Sequence, residues 1–461
     1  MSDRIVTFTC RRAAHALLVA AVILAVAPTA SAAGLRPLRL AFTDGLFVGP
    51  TQSLWLQRAA GAGAQIVRLD AGWPAARAPA DPSNPTDPAY DFTTLDSSVR
   101  NAAADGLTPL LSFTSAPAWA QGPHRPASAP PGSWLPDPGA IEAYGRALAE
   151  RYNGQFRDPL GSGSVLPKVT LFQLWNEPNL PQYLSPQWQK VSGHWVAVAP
   201  NHYRLMLNAF YAGVKAVQPG ATVVTAGTAP FGDFGHGQRM MPVLFWSQVL
   251  RQPTSFDVLA HQPYSVGPPS TRALNANDVS IPDIGKLTTL LRRAERRGDA
   301  LPRGLHHPVW VTETGYNTKP PNPGGIAVAT AARWLEQTVY LLWSQGVSVV
   351  TQYLIRDEPP IPSYDQSSQS GVYYLDGAPK PSLTAFRFPL VGHRATTGHV
   401  RAWLRAPVAG RLSVFARRSG RWTAVTTVSV KQDEILDLPV PGKPSALRAS
   451  EAGLSSLVWT M

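Results

Sequence analysis

Residues 169–179 read Val169-Thr170-Leu171-Phe172-Gln173-Leu174-Trp175-Asn176-Glu177-Pro178-Asn179. The first seven residues are mostly apolar, β-branched or aromatic, a composition typical of a buried strand. Pro178 lacks an amide donor, so the strand cannot continue beyond it. The stretch therefore predicts a buried strand that delivers the carboxyl group of Glu177 at its C-terminal end.

The same unit recurs from Leu38 to about Pro389: a short apolar run, a polar or Pro/Gly-rich stretch, then an amphipathic helix. The apolar runs predict strands at 38–42, 65–69, 108–113, 169–174, 222–226, 256–260, 308–311 and 347–354, with helical patterns at 141–152, 202–217, 284–297 and 327–345. Regular alternation of strand and helix indicates a parallel sheet, and eight units indicate a closed barrel. We predict an α/β fold with a (β/α)8 TIM barrel over residues 33–388.

Connection lengths favour one functional face of this barrel. Helix-to-strand connections are short and contain Gly106, Gly220 and Gly346, whereas strand-to-helix connections at 73–90, 115–138, 179–200 and 356–380 are long. Long loops after the carboxyl ends of the strands build the active sites of such barrels.

A second glutamate ends a second predicted strand, where Val309-Trp310-Val311-Thr312 leads into Glu313. Three βα units separate Glu177 from Glu313, which places the two on nearly opposite sides of one opening. Side chains reaching inward can bring the carboxyls to ~5 Å, the separation that a retaining glycosidase needs. A glutamate at a strand end can also serve only as the structural ion-pair partner of a buried arginine, and Arg68 at the end of the second strand is such a candidate.

The two glutamates would need different protonation states for acid catalysis and nucleophilic attack. Glu177 fits the acid, and Arg68 would keep Glu313 ionised. Trp175-Asn176-Glu177-Pro178-Asn179-Leu180, together with Glu313, resembles the clan of retaining (β/α)8 glycoside hydrolases. The resemblance is greatest to family thirty-nine, which includes β-xylosidases and α-iduronidases, with families five and fifty-one as near relatives.

This resemblance implies Glu177 as the acid/base and Glu313 as the nucleophile. It also implies that Asn176 binds the sugar 2-hydroxyl and that His261 or Tyr264 orients the nucleophile. Relatives usually place a tryptophan at the end of strand eight, where this chain has Tyr353, so the preferred sugar is left open.

Aromatic residues are frequent in the long loops and suit stacking against sugar rings, although any single ring can equally serve to pack its loop. They are Trp73, Trp119, Trp134, Tyr183, Trp188, Trp195, Tyr364 and Tyr373. The predicted substrate-binding residues are Arg68, Asn176, His261, Tyr264, Trp175, Trp119 and Tyr353.

The sequence has neither a Cys/His cluster with metal-ligand spacing nor a Gly-rich phosphate loop after a strand, and we predict no metal and no cofactor.

Residues 389–461 change to short alternating segments at 400–404, 411–416, 422–430, 435–440, 446–448 and 457–459. Strands of this kind, broken by turns, predict a small C-terminal β-sandwich. The module could bind carbohydrate or brace the barrel, and its few aromatic residues favour bracing.

Residues 1–32 show the three parts of a secretory signal, namely a cationic start, an apolar run at 16–27 and the cleavage site Ala30-Ser31-Ala32. We therefore expect a secreted, extracellular protein without stable membrane insertion. The one cysteine, Cys10, would be lost with the signal.

The net charge of +12 is spread along the chain, which favours a solvated surface over nucleic-acid binding. We expect a monomer.

The function predicted first is a secreted retaining glycoside hydrolase acting on a polysaccharide or oligosaccharide, and the long loops indicate a cleft. The alternative is a catalytically silent, cell-surface barrel that binds glycans. Paired carboxyls disfavour this alternative, because a pure binder does not need them.

Overall fold

A computed structural model describes residues 35–161 and 163–461. The predicted signal at 1–32, including Cys10, lies outside the described residues. Arg36–Met461 form one compact unit. Within the described residues, no helix is both long and apolar enough to cross a membrane.

Eight parallel strands form the central sheet, in the spatial order β5-β4-β3-β2-β1-β8-β7-β6. They are β1 (Arg39–Thr43), β2 (Ile66–Asp70), β3 (Thr108–Phe113), β4 (Leu171–Leu174), β5 (Thr222–Val224), β6 (Leu259–His261), β7 (Val309–Thr314) and β8 (Val347–Tyr353). Parallel bridges from Val224 to Val258 and from Thr228 to His261 join the two ends of this order. The predicted barrel is confirmed, with strand positions within a few residues of those expected.

A helix follows each strand. The helices are α1 (Gln52–Gly61), α2 (Thr93–Ala104), α3 (Pro138–Arg151), α4 (Ala199–Val217), α5 (Pro242–Val249), α6 (Gly285–Arg297), α7 (Val328–Ser344) and α8 (Pro381–Arg387). Their ends follow local chemistry. The Asp137 carboxylate accepts hydrogen bonds from the first amides of α3, and Gly298 ends α6 at a φ of 80°.

The barrel interior is filled by a separate cluster to which every strand or its entry contributes: Ala41, Ile66, Leu110, Leu171, Val224, Val258, Ala260, Trp310 and Val349. Side chains two residues further along a strand point the same way. In β2, β3, β4 and β7 these next positions are Arg68, Ser112, Gln173 and Thr312, all buried, and Gln262 follows β6 in the same phase. A polar layer therefore lies above the apolar one, towards the carboxyl ends of the strands.

Antiparallel strands begin at Leu390 and form two sheets, as the predicted sandwich requires. One sheet contains β9 (Leu390–Arg394), β10 (Val400–Arg405) and β13 (Ile435–Val440), and the other contains β11 (Gly410–Arg418), β12 (Arg421–Val430) and β14 (Ala446–Glu451). A Cβ atom on Gly392 would lie within 3 Å of Leu447 and Trp459, so the two sheets meet closely at this glycine. Trp403 of β10 packs on Tyr340 and Trp343 of α7, at ring separations of 5.5 Å.

Several short strands lie outside these sheets or at their edges: Trp188–Val191, His194–Ala197, Thr254–Ser255, Ala300–Leu301, Thr318–Lys319, Ile326–Ala327, Leu454–Ser455 and Trp459–Thr460. The first two form a hairpin in the β4–α4 loop that the sequence analysis did not predict. Ser192 and Gly193 at its turn both have positive φ, the geometry of a tight two-residue hairpin. The signal was present as Ser192-Gly193 between two alternating segments.

Candidate active site

The chain turns sharply where β4 ends. Trp175 and Glu177 have φ values of 70° and 34°, a region that non-glycine residues rarely adopt. Tertiary contacts hold this conformation: the Glu177 amide donates to the Gly227 carbonyl at 3.0 Å, and the buried Trp175 indole donates to the Tyr183 carbonyl at 2.7 Å. Backbone strain of this kind concentrates at functional sites.

Asn179 ties this turn to the β5–α5 loop. Its side chain is fully buried, donates to the carbonyls of Ala229 and Met240, and accepts from the Ala229 amide at 2.9 Å. Both amide hydrogens and the amide oxygen are thus bonded within the protein. The position of Glu177 is consequently fixed from both sides of the turn.

Glu313 lies near the carboxyl end of β7, where the pairing with β8 is irregular between Val311 and Thr314. Such irregularities re-aim side chains. The Arg68 Nη1 donates to Glu313 Oε1 at 2.8 Å, and the Tyr264 hydroxyl donates to Oε2 at 3.2 Å. Both carboxylate oxygens therefore receive a donor.

Arg68 is positioned by the polar layer of the barrel. Its Nε donates to Gln173 Oε1 at 2.6 Å, and its Nη2 donates to Ser112 Oγ at 3.0 Å and to Asn176 Oδ1 at 3.2 Å. A planar guanidinium with five donors can satisfy these acceptors together with a carboxylate. The cation is thereby held against Glu313.

Asn176 is oriented by two donors. Besides Arg68, the Gln262 Nε2 donates to Asn176 Oδ1 at 2.8 Å. The oxygen of this amide is therefore occupied, which leaves the Nδ2 group as the one able to donate to a ligand.

The two glutamates differ in electrostatic environment. Burial, followed by the charge of Glu313, raises the pKa of Glu177 to about 8. Burial also raises the pKa of Glu313, but Arg68 and Tyr264 oppose that rise. Among the described residues, Glu177 has no comparable donor to its carboxylate. Glu177 is therefore the group that retains a proton, and Glu313 is the one stabilised as an anion.

Both glutamates line one cavity of about 280 Å³ at the mouth of the barrel. Its walls come from the strand ends and the following loops: Thr43, Asp44, Gly45, Arg68, Asp70, Ser112, Phe113, Thr114, Asn176, Glu177, Tyr183, Glu313, Tyr353, Leu354 and Glu358. The structure thus brings together five of the nine predicted site residues: Arg68, Asn176, Glu177, Glu313 and Tyr353. Tyr264 joins them through its bond to Glu313.

Three further carboxyl groups face this cavity. Asp44 accepts from the backbone amides of Leu46, Ile355 and Arg356, and burial raises its pKa to about 6. Asp70 and Glu358 also line the walls. The cavity is therefore rich in acceptors for hydroxyl groups.

Besides Tyr264, which contacts Glu313 from outside the lining, three predicted substrate-binding residues do not line the cavity. His261 is fully buried, with Nδ1 at 2.9 Å from Thr228 Oγ1 and Nε2 at 2.9 Å from the Val279 carbonyl, so its role is structural. Trp175 is buried behind the turn that it anchors. Trp119 donates to the Ala75 carbonyl and packs edge-on against Trp73.

Three residues of the site, Ser112, Gln173 and Gln262, were not predicted from the sequence, and Tyr183 was predicted only as one of several loop aromatics. These three are the buried polar residues that hold Arg68 and Asn176 in place. Their signal was a polar residue at the inward phase of an otherwise apolar strand end, two positions beyond a core residue.

No family model matches the sequence, and no curated protein matches it. Solved structures do match. One is a family 39 glycoside hydrolase from the gut symbiont Bacteroides cellulosilyticus WH2, with 18% identity and a TM-score of 0.54, covering 88% of this chain and 81% of that one. A second is a monomeric β-xylosidase from Caulobacter crescentus CB15, with 15% identity and a TM-score of 0.52 over 88% of this chain and 95% of that one.

A third is a glucosidase from Croceicoccus marinus, with 14% identity and a TM-score of 0.53, covering 88% of this chain and 96% of that one. At such identities the likeness is one of fold. The resemblance to family thirty-nine is confirmed at this level: the chain has the fold of these glycosidases, an eight-stranded parallel barrel followed by antiparallel sheets.

Proposed function

We propose that this chain is a retaining glycoside hydrolase that cleaves O-glycosidic bonds with Glu177 as acid/base and Glu313 as nucleophile. The observation that supports it most is the asymmetry between two glutamates on one cavity. Glu313 receives donors on both oxygens, whereas burial and the charge of Glu313 favour the protonated form of Glu177. Opposite protonation preferences are what double displacement requires.

In the first step, Glu177 gives its proton to the glycosidic oxygen while a Glu313 oxygen attacks the anomeric carbon. The bond between that carbon and the glycosidic oxygen breaks, the leaving group departs as an alcohol, and Glu313 carries the sugar as an ester. Asn176 Nδ2 serves as a donor to a sugar hydroxyl.

In the second step, the Glu177 carboxylate takes a proton from water as the water oxygen attacks the anomeric carbon. The ester bond breaks and restores the Glu313 carboxylate, while Glu177 is protonated again. Two inversions give net retention of configuration.

A panel of p-nitrophenyl β-glycosides tests this function, beginning with the xyloside and glucoside because structural neighbours are named as a β-xylosidase and a glucosidase. We expect the wild-type chain to turn over at least one member, and Glu313→Gln to abolish that turnover. Glu177→Ala should lose roughly 10²–10⁴-fold, the usual contribution of a general acid. Tight glycan binding by the wild type without turnover of any glycoside would contradict the hydrolase and favour a glycan-binding barrel.

We propose further that the protein is secreted after cleavage following Ala32 and acts outside the cell on a polysaccharide or oligosaccharide as a monomer. Amino-terminal sequencing of the exported protein and size-exclusion chromatography test these points. A retained leader or a stable dimer would contradict them.

A further inference from the structure

A second cavity of about 520 Å³ lies among the loops that follow β3, β4 and β5. We call it the aromatic groove and define it by Trp134, Trp188, Trp195 and His236. Trp134 comes from the β3–α3 loop, Trp188 and Trp195 from the two strands of the β4–α4 hairpin, and His236 from the β5–α5 loop. All these loops follow the carboxyl ends of strands. The groove is therefore on the same face of the barrel as the cavity lined by Glu177 and Glu313, which we call the catalytic cavity.

The rings of the groove are held in place and remain at least partly exposed. The Trp134 indole donates to the Pro123 carbonyl at 2.9 Å, and the backbone at Trp134 bridges that at Ser185. His236 stacks on Trp195 at 5.4 Å with an interplanar angle of 17° and meets Trp188 edge-on at 4.9 Å. Trp195 nevertheless remains 48% exposed. Together with the partly exposed rings of Trp134 and Trp188, Trp195 forms an oriented surface for stacking.

The remaining walls mix polar and apolar residues and, apart from His236, carry no ionisable side chain among the described residues. Exposed amides come from Gln182 and Gln238, and the rest is serine, proline, alanine and glycine together with Gln187. Aromatic faces beside neutral amides match a neutral sugar, which presents C–H groups on one face and hydroxyls at its edge. The absence of charge disfavours an ionic ligand.

One loop contributes residues to both the catalytic cavity and the groove. Tyr183 lines the catalytic cavity, whereas the preceding Pro181 and Gln182 line the groove. Two consecutive turns connect Glu177 to these residues. The Leu180 amide donates to the Glu177 carbonyl, and the Tyr183 amide donates to the Leu180 carbonyl. The groove is thus on the side of Glu177, where the leaving-group oxygen takes its proton.

We propose that the aromatic groove binds neutral sugar residues on the leaving-group side of an oligosaccharide or polysaccharide substrate. This inference rests on the proposed hydrolase function for its catalytic consequence. The two cavities share no lining residue, so a leaving group of several sugar residues should contact the groove and a single aryl ring should not. The enzyme should therefore favour extended chains over small glycosides.

Trp195→Ala tests the proposal, since the side chain is exposed and its loss does not open the core. Trp422→Ala is the matched control, a partly exposed tryptophan on β12 of the C-terminal module. For each variant, kcat/KM is measured on the p-nitrophenyl glycoside that the wild type accepts and on xylo-, cello-, manno- and chitohexaose. We expect the ratio of hexasaccharide to aryl-glycoside kcat/KM to fall at least tenfold in Trp195→Ala and to stay unchanged in Trp422→Ala.

A ratio that Trp195→Ala leaves unchanged would overturn the groove while the hydrolase stands. If the wild type hydrolyses nothing, calorimetric titration of Glu313→Gln with the same four hexasaccharides decides. Binding that weakens at least tenfold in Glu313→Gln/Trp195→Ala, but not in Glu313→Gln/Trp422→Ala, supports the groove independently of catalysis. Lack of binding to all four sugars, or equal loss in both double variants, overturns it.

Discussion

Arg68 Nη1 donates to Glu313 Oε1 at 2.8 Å, and this buried ion pair links β2 to β7, which are not neighbours in the barrel. Its Nε and Nη2 donors are occupied by Gln173, Ser112 and Asn176. In the proposed mechanism, this one contact is both a structural ion pair and the interaction that keeps the nucleophile ionised. The sequence alone left these two interpretations of Arg68 open, and kinetics can separate them.

Replacing Arg68 should move the acidic limb of the pH profile. Without the cation, the pKa of Glu313 rises, so the nucleophile ionises only at higher pH and the acidic limb of kcat/KM shifts upwards. We expect Arg68→Met to lose about 100-fold or more in kcat/KM at pH 6, comparable to removal of a strong catalytic donor. Tyr264→Phe, which removes one neutral donor at 3.2 Å, should cost only about tenfold. An unshifted acidic limb in a folded Arg68→Met would leave Arg68 a purely structural partner.

Ionisation of Glu177 should define the basic limb of the pH profile of kcat/KM. Its pKa is raised to about 8 by burial and by Glu313, so kcat/KM should hold up to about pH 8 and fall above it as the acid loses its proton. Glu313→Gln removes one of the two causes, and the pKa of Glu177 should then be lower than in the wild type. Carbon-13 NMR titration of the glutamate side chains measures both values. An equal or higher pKa in Glu313→Gln would contradict coupling between the pair.

The raised pKa of Glu177 also predicts that its carboxyl group lowers the free energy of unfolding at neutral and basic pH. A carboxyl whose pKa is higher in the folded than in the unfolded state binds more protons when folded, so unfolding free energy decreases as pH rises from about 4.5 to about 8. Glu177→Gln cannot ionise and should be more stable than the wild type by roughly 2 kcal/mol or more at pH 8, with little difference near pH 4. Denaturant unfolding across this range measures the difference. Glu142→Gln, an exposed change on α3, is the control, and parallel pH curves for Glu177→Gln and the wild type would refute the shift.

The parts that the sequence predicted are those set by periodicity. Continuous apolar runs located all eight strands, and the abrupt polar change after Trp175 and at Glu313 located the carboxyl ends. Residues that are adjacent in a strand point to opposite faces, however, and the composition near β6 did not reveal its phase. Ala260 and Gln262 face the barrel interior, so His261 between them faces Thr228 and Val279 instead. A difference of one residue in phase therefore separates the predicted site residue, His261, from Gln262, which contacts Asn176 in the site.

The conformations of the loops could not be predicted from periodicity, because they depend on contacts between segments that are distant in sequence. Trp119 lies in a long connection without a repeating pattern, and its contacts with Ala75 and Trp73 depend on another loop far away in sequence. The hairpin at Trp188–Val191 and His194–Ala197 likewise depends on a two-residue turn within a segment that otherwise resembles an irregular loop.

The charges of the catalytic cavity should exclude acidic sugars. Asp44, Asp70 and Glu358 line it together with the catalytic pair, and Arg68, the one cation among its described lining residues, is already paired with Glu313. A uronic acid would bring a further carboxylate into this field. We expect p-nitrophenyl β-glucuronide to be cleaved at least ~100-fold more slowly than the glucoside, since like-charge contacts cost several kcal/mol. Asp70→Asn should narrow that ratio and Asp81→Asn, in an exposed loop, should not. Comparable rates on both glycosides would contradict the argument.

The C-terminal strands should brace the barrel through Arg405, the last residue of β10. Its side chain is fully buried, pairs with Asp433, and donates at 3.3 Å to both the Gly63 carbonyl and Gln65 Oε1 of the loop between α1 and β2. Gln65 in turn donates to Asp433 at 2.9 Å, so barrel and module share one polar network. Arg405→Met leaves Asp433 and Gln65 without their cation and should lower the unfolding free energy by about 2–4 kcal/mol.

The matched control is Arg401→Met on the same strand, because Arg401 pairs with Asp437 inside the module and is partly exposed. An ion pair of that kind contributes about 1 kcal/mol or less. Since Arg36–Met461 form one compact unit, scanning calorimetry of Arg405→Met should show a single transition at lower temperature, with activity lost at the same temperature. A barrel that keeps the wild-type melting temperature while the module melts separately would show that the strands after Leu390 are an appendage, and their role would then have to be sought in binding.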